Sequence, residues 1–358
     1  MRLLCNVRAS WGSRSRPVCL FAAVLLTGLT ACSGTPTVSS GHDEGRSPDG
    51  SRAEQSAPCG REAPSARASS GRPSSPSPTY EDVAYADGSD AQKLDLYLPE
   101  GAGKDVKKDT PLIINVHGGS FRQGDKAMEK PNIAHQLRQG YAAASLNYRL
   151  RGEALFPAGV QDVKAAVRWL RAHAGACGFD PERFVIWGES AGGYMAQMVA
   201  ATGGRKTMFD DPALGNAGVS SAVQAAVVWY GLNNFAAMDG QFRQDTPKVC
   251  GRLNPRDAAE SSESQWLGAA LPTIPEKVRK ADPLTYLDTA RDLPPFSIAT
   301  GDADCLVPHQ QSRELHKAVR KTGTHSELTI VPGAGHGPEV DRVQVAPALD
   351  FLNKTFRR

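Results

Sequence analysis

Residues 33–79 contain no Leu, Ile, Met, Phe, Tyr or Trp, and Val38 is their sole branched aliphatic side chain. So little apolar area cannot offset the entropy of ordering a chain, which excludes a core here. Ser, Pro, Gly and Ala dominate instead, as in RASSGRPSSPSP at 67–78, so residues 32–79 read as a disordered tether. Its five Arg and five Asp/Glu cancel, which excludes a polybasic lipid-binding tail. Residues 1–31 lack acidic residues and Lys altogether, and carry four arginines. The apolar run VCLFAAVLLTGL at 18–29 is shorter than the roughly 20 residues a transmembrane helix needs. A strong charge of either sign is also missing. The formal net charge is +3, and loss of the four arginines of 1–31 would turn it to −1. A nucleic-acid partner is therefore excluded. No repeat of solenoid period is present. None of the seven cysteines has zinc-site spacing, so neither a metal nor another cofactor is expected.

A basic segment followed by a short apolar one reads as an export signal over 1–31. Its end, Leu29-Thr30-Ala31-Cys32, resembles the bacterial lipobox, in which cleavage leaves a lipid-modified cysteine at the new N-terminus. Cys32 is then the expected lipidation site, and a lipid anchor the one expected link to a membrane. The blander alternative is an ordinary signal cleaved nearby, with Cys32 incidental and the protein secreted.

Residues 80–358 have the composition of one folded domain. KLDLYL (93–98) alternates as a half-exposed strand does. PLIINVH (111–117) and residues 142–147 are apolar throughout, as buried parallel strands are. Further strands are expected over 183–187, 223–230, 295–300 and 327–331. Helical spacing appears at 133–139, 158–173, 191–201, 308–321 and 340–356; Val160, Val163, Val167 and Leu170 line one face of the second. Strands alternating with helices imply an α/β fold, a mostly parallel sheet with helices on both faces. Residues 231–292 break the rhythm and read as an insertion after the sixth strand, a lid or pocket wall.

Gly188-Glu189-Ser190-Ala191-Gly192 fits G-x-S-x-G between an expected strand and an expected helix. That tight turn needs glycines and projects the hydroxyl of Ser190 at the N-terminus of a helix. A serine nucleophile needs a base. His336 lies in the Gly-rich loop GAGHG after the last expected strand, and His309 is the one rival. A carboxylate to orient the base is expected between the two in sequence, and GDADCLVP offers Asp302 and Asp304, Asp304 being preferred. His117-Gly118-Gly119-Ser120, after the buried strand, suits an oxyanion loop, with the N–H of Ala191 as a second donor.

HGGSFRQGDK, FPAGVQDVKAAVRWLRAH, DPERFVIWGESAGGYMA, VVWYGLNNF, GDADCLVPHQQS and GAGHG together resemble the α/β-hydrolase superfamily. More narrowly, they are similar to bacterial feruloyl/acetyl-xylan-esterase-like proteins near the hormone-sensitive-lipase-like esterases. The resemblance covers nearly all of 80–358 and none of the tether. It implies a Ser–His–Asp esterase acting on small-molecule, short-chain or aryl esters, with Ser190 as nucleophile, Asp304 as acid and His336 as base. It places the oxyanion donors at Gly119 and Ala191, with Gly118 shaping the loop. Ser120 departs from the third glycine of the family's HGGG pattern. The segment 254–267 is implied to shape the acyl or alcohol pocket. A formamidase or oligopeptidase-like hydrolase on the same triad is the second reading, and a non-catalytic surface lipoprotein that acts as a binding module the third. Export permits disulfides. Cys177, Cys250 and Cys305 fall in the fold, and a Cys250–Cys305 bridge would pin the acid loop to the insertion; three leave one over unless Cys59, which falls in the tether, joins.

Overall fold

The apolar runs separated by polar turns form strands of a single sheet. The computed structural model describes Cys59 and residues 75–99, 110–245, 247–290 and 292–357. The expected export signal, Cys32 and most of the tether lie outside these residues. In chain order the elements begin with β1 (Tyr80–Ala84), β2 (Lys93–Tyr97), β3 (Thr110–Val116), α1 (Lys130–Arg138) and β4 (Ala142–Leu146). Then come α2 (Ala158–Ala172), α3 (Ala174–Cys177), β5 (Phe179–Glu189), α4 (Ala191–Thr202) and β6 (Ala225–Trp229). The insertion supplies α5 (Met238–Gln244), α6 (Ser262–Leu267), α7 (Pro275–Ala281) and α8 (Leu284–Leu287). The chain closes with β7 (Phe296–Gly301), α9 (Gln310–Lys321), β8 (Ser326–Val331) and α10 (Pro338–Phe356).

The eight strands lie in the order β1-β2-β4-β3-β5-β6-β7-β8. β1–β2 and β2–β4 pair antiparallel, and every other neighbour pair is parallel. Alternation along β5 divides the core. Phe184 and Ile186 join the helices α2 and α4 on one face, while Val185 and Trp187 meet α10 on the other. Each such side chain, fully withdrawn from water, contributes about 1.5–3 kcal/mol. Parallel strands bring the carboxyl ends of β3, β5, β6, β7 and β8 to one edge, where loops of such sheets carry function.

Three features go beyond the sequence reading. The edge strand β1 was not anticipated, because YEDVA is half exposed and charged; it makes Ala225–Trp229 the sixth strand. The 231–292 insertion is helical, its short helices capped locally by Asn234, Ser261 and proline at the start of α7. The third concerns the tether. Cys59 is buried, 7 % exposed, and disulfide-bonded to Cys177 at the end of α3. Composition alone gave residue 59 nothing to hold it, and a covalent cross-link supplies what hydrophobic burial could not. Thr79 is likewise fixed, with its N–H donating to Leu96 O (2.7 Å) and its Oγ1 accepting from Leu98 N–H (3.0 Å).

Candidate active site

Ser190 stands between β5 and α4 with φ 54° and ψ −120°, a strained conformation for a residue with a side chain. Its N–H donates to Trp229 O on the neighbouring strand (3.0 Å), and its carbonyl starts α4 by accepting from Tyr194 N–H (3.0 Å). The flanking glycines are required by packing. A Cβ on Gly188 would lie 2.1 Å from Gly192 O, and one on Gly192 would lie 1.9 Å from Val116 O. The turn is thus wedged against the end of β3, and the serine hydroxyl is left as the group that projects.

His336 comes from the loop after β8. Its Nε2 lies 2.9 Å from Ser190 Oγ, and its Nδ1 lies 2.7 Å from Asp304 Oδ2. A carboxylate only accepts, so the proton sits on Nδ1 and Nε2 is free to accept from the serine. Asp304 comes from the loop after β7 and is 1 % exposed. Its Oδ1 accepts from Leu306 N–H (2.7 Å) and Val307 N–H (2.9 Å), which fixes the carboxylate plane. Asp302 takes a different part: its Oδ1 accepts from Gly333 N–H at 2.6 Å, tying the acid loop to the base loop. Ala303 N–H donates to Ala334 O (3.0 Å) across the same seam, and a Cβ on Gly301 would lie 2.0 Å from that oxygen. His309 is not part of this cluster; it begins α9, with its Nε2 3.7 Å from Asp245.

The loop after β3 faces the serine. A Cβ on Gly118 would lie 3.1 Å from Ser190 Cβ. Gly119 has φ 112°, and its Cβ position is occupied by Gln123 O at 1.8 Å, so only glycine closes this turn. His117, unassigned at the sequence level beyond its place in HGG, orients the loop. Burial holds its ring neutral, Tyr148 stacks on it at 4.6 Å, and its Nδ1 sits 2.7 Å from Gly118 O. In a trans peptide the carbonyl and the next N–H point opposite ways. Holding Gly118 O toward His117 therefore turns Gly119 N–H away from it. Among the described residues, the N–H groups of Gly118, Gly119 and Ala191 have no hydrogen-bond acceptor. Free donors beside a helix N-terminus suit a developing negative charge.

The insertion covers this arrangement from two sides. Trp266 of α6 stacks on Phe121 of the glycine loop (4.1 Å, 12° between planes), and Phe121 meets Tyr194 of α4 edge-on at 5.5 Å. Arg256 donates from Nη2 to Cys305 O (3.0 Å), and a Cys250–Cys305 disulfide joins the insertion to the acid loop. The 254–267 segment thus touches both the acid loop and the glycine loop. Tyr230, directly after β6, was missed by the sequence reading. Its ring lies 4.6 Å from that of His336, and the sole sequence signal for it was its place in the VVWYGLNNF block.

Among curated proteins, the chain is 29 % identical over 287 residues to Esterase LipC of Mycobacterium tuberculosis, covering 77 % of this chain and 65 % of the relative. It is 26 % identical over 260 residues to a probable carboxylic ester hydrolase, LipM, of the same organism, covering 71 % and 55 %. The chain therefore spans less than two thirds of the length of these relatives. Among solved structures it is similar to a truncated carbohydrate esterase from gut microbiota, with 30 % identity, a TM-score of 0.68, and 77 % and 95 % of the two chains covered. It is also similar to an acetyl ester-xyloside bifunctional hydrolase from Caldicellulosiruptor lactoaceticus, at 25 % identity, TM-score 0.56, and 74 % and 86 % covered. Residues 94–319, from β2 into α9, match the family described as BD-FAE, and the chain belongs to that family of α/β-hydrolase-fold proteins.

Proposed function

We propose that this protein is a serine hydrolase of carboxylic esters, acting on short-chain or aryl esters of small molecules. The observation that carries this reading is the line from Ser190 Oγ through His336 to Asp304, with spacings of 2.9 and 2.7 Å. Ser190 Oγ attacks the ester carbonyl as His336 Nε2 takes its proton. The carbonyl oxygen becomes an oxyanion facing the N–H groups of Gly119 and Ala191. Collapse breaks the bond to the alcohol, which leaves with the proton held by His336, and Ser190 keeps the acyl group. Water then attacks the acyl-enzyme, giving its proton to His336, and the acid departs as Ser190 recovers a proton. Asp304 stays ionised throughout and stabilises the imidazolium. The carbohydrate-linked substrates named for two of the similar structures make acylated sugars the first natural esters to try. Export and lipid attachment at Cys32 belong to the same proposal and rest on the sequence of 1–32.

Hydrolysis of a panel of aryl esters by the wild type, and its loss in Ser190→Ala together with loss of labelling by a fluorophosphonate, is the expected result. Unchanged turnover in Ser190→Ala would overturn the assignment.

A further inference from the structure

Behind the serine and the histidine lies a group of acids that the ester mechanism does not use. Glu189 precedes Ser190, Glu129 precedes α1, and Asp341 lies in the first turn of α10. Tyr230 connects two of them. Its hydroxyl is 2.6 Å from Asp341 Oδ1 and 3.0 Å from Glu189 Oε2. Asn132 Nδ2 donates to Glu189 Oε1 at 2.6 Å. The groups facing this cluster are Tyr230 after β6, Asn132 from α1, Tyr148 after β4, and His336 and Glu339 flanking the start of α10. Among the described residues no Lys or Arg pairs with any of the three acids.

The proton count decides how such a cluster can exist. A phenol has one proton and can donate it once. With carboxylates on both sides, one of the two contacts would set two oxygens against each other with no hydrogen between. The shorter contact, to Asp341, takes the tyrosine proton. The longer contact then requires a proton on Glu189 Oε2, which donates to the phenol oxygen. Asn132 is consistent with that direction, since it supplies a donor to the other, carbonyl-like oxygen of Glu189. Burial acts the same way. It raises Glu189 well above the usual carboxylate range, and Glu129 is pushed up to about 7. Asp341 is raised as well, but the Tyr230 hydrogen bond and the charge of His336 pull it back toward its ionised form.

We propose that Glu189 is a neutral acid at working pH that donates to the Tyr230 oxygen, that Tyr230 donates in turn to an ionised Asp341, and that the charge of Asp341 acts on His336 beside the Tyr230 ring. Asp341 and Tyr230 are on this view positioning residues: one supplies charge, and the other carries the hydrogen-bond chain and packs its ring against the imidazole. The inference rests on the reading of His336 as the general base. It assigns opposite consequences to two acids that look alike in sequence. Replacing Glu189 by its neutral isostere changes no charge; replacing Asp341 removes one.

The test is the pH profile of kcat/KM for aryl-ester hydrolysis by the whole chain. Asp341→Asn is expected to move the acid limb to lower pH by on the order of one unit, the scale of a unit charge lost at close range in a partly buried site. Asp341→Glu is expected to bring the limb back. Glu189→Gln is expected to leave its position unchanged. In a Glu129→Gln background the Asp341→Asn shift is expected to persist. Equal shifts in Glu189→Gln and Asp341→Asn, or disappearance of the shift when Glu129 is replaced, would overturn the charge assignment. A measurement on the wild type stands apart from turnover and from the folding of any variant. Infrared spectroscopy at neutral pH is expected to show the carbonyl stretch of a buried protonated carboxyl group that persists when Glu129 is replaced by Gln; its absence would sink the proposal even if the esterase reading held. Conversely, a present band with no ester hydrolysis by the wild type, or with hydrolysis unchanged in Ser190→Ala, would count against the esterase reading alone.

Discussion

Replacing Asp304 by Asn alters one atom of the carboxyl group and should nearly abolish turnover. The amide oxygen that Asp304→Asn introduces can still accept from the N–H groups of Leu306 and Val307, now 2.7 and 2.9 Å from the carboxylate oxygen. Those two bonds hold the side chain in place, so its NH₂ falls where Oδ2 now stands, 2.7 Å from His336 Nδ1. Two N–H donors cannot face each other at that distance. The ring relieves the conflict by moving its proton to Nε2, the nitrogen that lies 2.9 Å from Ser190 Oγ. Nε2 then has no lone pair with which to take the serine proton. A wrong-tautomer histidine costs a serine hydrolase about 10⁴ in kcat, a figure measured for the corresponding substitution in another enzyme. That factor equals about 5.4 kcal/mol of barrier. Melting should change little, because the backbone contacts of Asp304 survive. Asp302→Asn is the matched control. Its Oδ1 accepts from Gly333 N–H and has no part in the histidine contact, so an amide oxygen serves equally. Turnover within about threefold of wild type is expected, since the loop contact survives. Initial rates on an aryl ester for both variants decide the matter. Comparable losses in the two, or near wild-type turnover in Asp304→Asn, would refute the geometric reasoning.

Three further outcomes follow from contacts described above. Gly192→Ala drives a methyl group to 1.9 Å from Val116 O, so the serine turn must shift; a lower melting temperature and a loss of about 10² in turnover are expected from calorimetry and kinetics. Cys250→Ala opens a loop of separation 55 and is expected to destabilise the fold by about 4 kcal/mol in denaturant titration, while turnover at 25 °C falls little because Asp304 keeps its two backbone donors. Glu129 is pushed up to about 7 in the fold from an ordinary value of 4.5, so the unfolded chain ionises it first. Stability is therefore intact below pH 4.5 and is lost as pH rises toward 7. Glu129→Gln should be more stable than wild type at pH 8 by about 3 kcal/mol, with the gap closing below pH 4.5; a gap that widens in acid would reverse the sign.

The parts of the site that could be read from the sequence are those whose backbone demands particular residues. A serine turn between strand and helix needs Gly188 and Gly192, and the turn at Gly119 rejects every Cβ. Those constraints leave small-residue signatures beside Ser190, and His336 likewise sits in a Gly-rich loop. For the carboxylate, the residues offered Asp302 and Asp304 in one loop and the resemblance favoured Asp304; the tertiary structure puts Asp304 against the histidine. His117, Tyr230 and Asp341 were illegible as functional groups. Their surroundings come from β3, β6 and α10, far apart in the chain, and a tyrosine following a buried strand looks like any core aromatic. Among the fold elements, the buried strands carried clear apolar runs. β1 did not, since an edge strand pairs on one side and keeps charged residues. Cys59 illustrates the remaining gap: its partner lies 118 positions away, a pairing that neither composition nor periodicity encodes.

Among the described residues, two disulfides also close covalent rings that neither overlap nor nest. One closes residues 59–177 and the other 250–305. A peptide bond cut inside either ring leaves a single covalent molecule. A cut between them, in 178–249, releases two. Ser190 lies in that unbridged stretch, Asp304 is the penultimate residue of the second ring, and His336 hangs beyond it. A protease that nicks the insertion between 251 and 292 would therefore leave all three residues on one disulfide-held molecule, and the break would show only once the bridges are reduced.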